Sequence, residues 1–76
     1  MNHERRCALK AIRADIKGIM GRLSEVKDVE EDILGRMSEK EQFSSKGEAY
    51  EERINTMINA LEYLKDAMHE VEEACA

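Results

Sequence analysis

The side chains that could carry chemistry are few: two histidines, two cysteines and the carboxylates of a 76-residue chain. His3 and Cys7 are four residues apart and share one face of a helix. His69 and Cys75 are six apart and point in different directions, and helix pairing leaves His69 several turns from His3. Four such residues do not converge as the ligands of a structural zinc must. Asp66-x-x-His69 is the nearest approach to the Glu-x-x-His pairs of di-iron bundles, but Asp replaces Glu and neither residue lies on an apolar stripe. There is no Gly-rich phosphate loop, no nucleophile elbow and no Cys-x-x-Cys. The expectation is a protein that is not an enzyme and holds neither metal nor cofactor.

One cationic constellation stands out. Arg6, Lys10, Arg13 and Lys17 recur at helical spacing and could meet the phosphates of a nucleic acid. No aromatic residue interleaves them, and the chain as a whole carries a net charge of −5. The stronger use for the stripe is internal. Residues 1–22 hold six Lys/Arg against two Asp/Glu, a balance of +4. Residues 42–76 hold three against eight, a balance of −5. A basic head and an acidic tail pair well if the chain folds back on itself.

The elements that position these residues are two long helices. Tyr50, Ile54, Met57, Leu61, Leu64, Met68, Val71 and Cys75 alternate steps of four and three, an unbroken heptad seam. Leu9, Ile12, Ile16, Ile19, Leu23 and Val26 do the same with three and four, and Ile33 and Met37 resume the pattern. Glu30 falls where the seam expects an apolar residue; its long stem lets the carboxylate emerge beside Val29 and Leu34. Gly18 and Gly21 lie inside this helix, where another backbone could come close or the helix could bend.

The spacing predicts helix one over about 4–39, a loop over about 40–44 and helix two over about 45–75, all in one domain of 76 residues. Ser44 or Ser45 caps helix two, and Ser45 with Glu48 fits a capping box. Phe43 is expected to fold back over the end of the seam.

A short loop between long helices implies an antiparallel hairpin in an all-α, coiled-coil-like fold. Setting Met37 against Tyr50 aligns Ile33 with Ile54, Val26 with Leu61, Ile19 with Met68 and Ile12 with Cys75. It also lays Arg6, Lys10, Arg13 and Lys17 beside Asp66, Glu70, Glu72 and Glu73. Apolar and small residues remain outside the seam: Met20, Val29 and Leu34 on helix one, and Ile58, Ala60, Tyr63, Ala67 and Ala74 on helix two. So broad a stripe is that of a bundle helix. These residues are read as the face of a homodimer, a four-helix bundle, or of a protein partner.

Composition agrees. A chain this short with 38% charged residues, 4% aromatics and no proline is typical of long helices, and it needs a staple or a partner to be stable. No apolar run is long enough to span a membrane or to serve as a signal peptide, so a cytoplasmic location with reduced Cys7 and Cys75 is expected.

The stretch Met37–Glu52, followed by Ile54, Ile58 and Leu61, resembles a family of small helical proteins common in phages and prophages of Gram-positive bacteria. Their pattern is similar at Met37, Glu39, Gln42, Ser44, Gly47, Glu48, Glu51 and Glu52, with Ser38 where proline is usual and Lys46 where arginine is usual. The resemblance covers about 40 residues. It implies a mobile-element setting and favours Ser44 as the cap; it implies no activity. The functional expectation is a non-enzymatic protein–protein interaction module, in a phage setting one that binds or inhibits a host factor. The alternative is a nucleic-acid-binding accessory protein using the basic half of helix one.

Overall fold

A computed structural model describes residues 1–76, and it is all-helical with no strand. α1 spans His3–Arg36, α2 spans Glu39–Gln42 and α3 spans Ser45–Cys75. The molecule measures 58 × 15 × 12 Å with a radius of gyration of 17.3 Å. A compact chain of this length would have a radius of about 11 Å. No helix is long and apolar enough to cross a membrane.

α1 starts at Asn2, whose side-chain oxygen accepts from the Arg5 amide at 2.9 Å. It ends at Arg36, three residues short of the expected boundary, because Met37 turns to an extended backbone. The expected loop is itself partly helical. Ser38 accepts from the Glu41 amide at 3.2 Å and opens α2, so Ser38-x-x-Glu41 nucleates a turn of its own. The side-chain amide of Gln42 then donates to the carbonyls of Leu34 and Met37, both at 3.2 Å, which closes the last turn of α1.

Ser44, and not Ser45, caps α3. Its hydroxyl accepts from the Gly47 amide at 3.4 Å and donates to the Glu41 carbonyl, which ties the end of α2 to the start of α3. The Ser45–Glu48 box does not form, because Ser45 is already the first helical residue. Phe43 does not cover the seam. It is 78% exposed, since α2 turns its neighbour Gln42 inward.

The two long helices lie side by side, and contacts join the start of each to the end of the other. Arg13 Nε donates to Glu72 Oε1, and Arg53 Nη2 lies 3.7 Å from Glu30 Oε2. The Cys75 thiol lies 3.5 Å from the Arg6 carbonyl. Val26 and Met57 line one groove, whereas the expected alignment set Val26 against Leu61. That groove also holds Glu30, which the same alignment sets against Met57, and the Arg13–Glu72 contact departs from it by two residues, so the pairing keeps to the expectation within about one helical turn.

α3 presents its full predicted seam to α1: Tyr50, Met57, Leu61, Leu64, Met68, Val71 and Cys75 are half-buried and Ile54 is buried. α1 answers with a different set. Leu9, Arg13, Ile16, Met20, Leu23, Lys27, Glu30, Leu34 and Met37 are half-buried, again at steps of four and three. Every second member of the expected seam is replaced by its neighbour, which rotates the contact by about 50° around the helix axis. The cations at this face reach outward along apolar stems, Arg13 to Glu72 and Lys27 to Asp28 and Glu31.

Candidate interaction surface

The rotation of α1 leaves an apolar column uncovered. Ile12, Ile19, Val26 and Ile33 recur every seven residues and are 45%, 48%, 55% and 38% exposed. The middle column, Leu9–Ile16–Leu23–Glu30–Met37, is shared. It forms a heptad seam with Ile12–Ile19–Val26–Ile33 on one side and with Arg13–Met20–Lys27–Leu34 on the other. α3 occupies the second seam, so the more apolar one faces solvent.

The expected interaction residues divide accordingly. Met20 and Leu34 lie half-buried against α3 and are not part of a free face. Val29 is exposed on α1 beyond the uncovered column. Ile58 is exposed, and two seven-residue steps from Glu72 place it on the edge that carries Arg13, away from that column. Ala60 is half-buried, Ala67 and Ala74 are exposed, and Tyr63 is 74% exposed. Arg53 and Thr56 share a groove with Val26 and Glu30. The series Arg53–Ala60–Ala67–Ala74 therefore runs along the same side of the molecule as Ile12–Ile19–Val26–Ile33. The uncovered column was not recognised as surface from sequence because it is the more apolar choice for the contact with α3.

Electrostatics at the surface is sparse. Of the expected pairs between basic head and acidic tail, only Arg13–Glu72 forms; Arg6, Lys10 and Lys17 are exposed with no carboxylate within 4 Å. Exposed pairs contribute little against the entropy of ordering two long side chains. The Arg13 hydrogen bond holds the Glu72 carboxyl below the ordinary carboxylate range. Asp28 and Glu31, each 3.2 Å from Lys27 Nζ, push that ammonium above the ordinary lysine value.

The remaining polar candidates stay apart. His3 Nε2 lies 3.5 Å from Cys7 Sγ, and His69 Nδ1 lies 3.5 Å from Glu72 Oε2. No three His, Cys, Asp or Glu side chains gather where they could hold a metal ion. Gly18 and Gly21 meet no other backbone, and a methyl group at either would touch nothing within 4 Å. Gly47 is the glycine that a close approach demands. A Cβ there would lie 2.2 Å from the Gln42 carbonyl oxygen.

Comparison with known proteins finds no match: no family model fits the sequence, no curated protein is significantly similar to it, and no solved structure is significantly similar to its fold.

Proposed function

We propose that this chain is a non-enzymatic protein–protein interaction module, an antiparallel helical hairpin that self-associates into a four-helix bundle and engages a protein partner. The supporting observation is the uncovered column Ile12, Ile19, Val26 and Ile33. A heptad of β-branched residues left in water loses the burial that stabilises a coiled coil, on the order of 1.5–3 kcal/mol for each side chain fully covered. The hairpin is supported by the contacts that join Arg13 to Glu72 and Glu30 to Arg53. The likeness of Met37–Glu52 to phage and prophage proteins supports a host-cell setting for the module, where its partner would be a host factor that it binds or inhibits.

Light scattering at micromolar concentration is the test. The expected mass is twice that of the 8.7 kDa chain. Ile19→Lys with Val26→Lys should return it to a single chain while helicity is retained, because both side chains are about half exposed and lie outside the half-buried set that α1 turns to α3. A single-chain mass for the unaltered protein would overturn self-association.

The exposure of Arg6, Lys10 and Lys17, which lack partners on α3, favours a second reading as a nucleic-acid accessory protein. It requires a salt-sensitive mobility shift of DNA or RNA that disappears when the three are changed to Gln.

A further inference from the structure

We infer that what covers the uncovered column is a second copy of this chain, seated so that α1 of each copy lies across α3 of the other. This rests on the self-association proposed above and gives it a face, an orientation and a register.

The face has two unlike halves. Ile12, Ile19, Val26 and Ile33 form a ridge on α1. Beside it, Ala60, Ala67 and Ala74 form a shallow groove on α3, in a column that starts at Arg53. Two such faces can meet in two antiparallel ways. A twofold axis across the helices sets ridge on ridge and groove on groove, which is too thick on one side and too thin on the other. A twofold axis along the helices sets each ridge into the other copy's groove, large against small, as close packing requires.

The register follows from the single chain, because an axis along the helices preserves heights. Arg13 is level with Glu72, and Glu30 with Arg53. Ile12, Ile19 and Val26 are then level, to within about one turn, with Ala74, Ala67 and Ala60 of the other copy. Arg22, which borders the ridge beside Ile19, comes level with the other copy's exposed Tyr63 and can lie over its ring.

Charge agrees with this orientation. The +4 head of α1 runs along the acidic end of the other copy's α3, where Asp66, Glu70 and Glu73 have no cation within 4 Å in their own chain. Burial within one chain is meagre: Ile54 is the one buried apolar residue. A second copy completes the core that a single chain lacks.

The test is cross-linking in a Cys7→Ser, Cys75→Ser background. A variant with Ile19→Cys is mixed with one carrying Ala67→Cys and oxidised with glutathione disulfide. The two thiols lose their hydrogens to form one S–S bond as glutathione disulfide is reduced to two glutathione molecules. The expected result is a mixed two-chain product well above that of either variant alone, with helicity unchanged by circular dichroism. A parallel mixture of Ile19→Cys and Val26→Cys should give little. If that mixture cross-links instead, α1 lies on α1 and the inference is overturned. A two-chain mass with no product in either mixture overturns the face and leaves self-association standing. A single-chain mass in the cysteine-free background overturns both. Independently, Ala67→Leu fills the groove without touching the chain's own core, and should shift the protein to the single-chain mass; an unchanged dimer would contradict the geometry.

Discussion

Glu30 shows how a single residue sets the balance between specificity and stability. It occupies the shared column of α1, where its neighbours along the seam are Leu23 and Met37. Its Oε2 is buried without a hydrogen-bond partner. The nearest cation is Arg53 at 3.7 Å, whose guanidinium lies over the Tyr50 ring, 4.4 Å from its centre. An ion pair this long returns little of the cost of desolvating a carboxylate. Glu30→Met should therefore stabilise the fold by about 1 kcal/mol, read as a rise of roughly 4–8 °C in the thermal midpoint. A lower midpoint would show that the Arg53 contact outweighs the desolvation. Sequence placed Glu30 in the seam but anticipated an emergent carboxylate; with α1 rotated, the side chain instead points at Arg53.

Glu72 works in the opposite sense. The Arg13 hydrogen bond lowers its carboxyl from the ordinary value of 4.5. A carboxyl depressed on folding contributes stability above that ordinary value, and the contribution is lost as pH falls through the lower, folded value. An NMR titration should place the Glu72 midpoint below 4.5, and Arg13→Gln should move it up. The unaltered protein should also lose more stability on acidification than the variant does. Equal losses would mean that the pair is not populated in solution.

At the scale of the element, the corner is the best-specified part of the molecule. Ser38, Gln42, Ser44 and Gly47 each satisfy or permit backbone contacts: an N-cap, two carbonyls of α1, a second N-cap and the close passage of the Gln42 carbonyl. Gly47→Ala should destabilise the protein by about 1–3 kcal/mol, because the added Cβ meets backbone that cannot swing aside. Gly18→Ala, in open space within an exposed helix, should instead gain up to about 1 kcal/mol. Urea denaturation of both variants checks the contrast; a loss at Gly18 would reveal a neighbour that one chain does not supply. α3 was legible in the sequence because its heptad has a single apolar choice, with alanines or charges in most of the flanking positions. α1 was legible as a helix but not in orientation, because two apolar seams share one column. The end of α1 was misjudged because Ser38-x-x-Glu41, a start signal, sits inside the stretch where periodicity fades.

At the scale of the whole molecule, most of the structure is local. Of 66 backbone hydrogen bonds, 59 lie within the helices. The all-helical, elongated form follows from heptads, the absence of proline and one polar break between them. The choice of face does not follow, because the two seams of α1 differ in apolar content by only a few side chains, and α3 can gain from either. Packing α3 on the mixed seam places Arg13 and Lys27 where their stems are covered and their charges reach carboxylates. The more apolar seam is thereby left facing solvent, where the proposed second copy would meet it. Fold and candidate function are coupled at that one choice.

The contact between the Cys75 thiol and the Arg6 carbonyl also has a mechanical consequence. It brings the outer ends of α1 and α3 together, with the corner of Ser38, Gln42 and Gly47 at the far end of a 58 Å rod. Tension applied to those two ends loads the interhelical contacts one rung at a time, from Arg13–Glu72 toward Glu30–Arg53. The molecule would part like a zipper, whereas tension between the corner and either end would pull one helix along its own axis and leave the rungs unloaded. A tether that held both ends, or a second copy lying across the rungs, would change that resistance far more than any one contact within the chain.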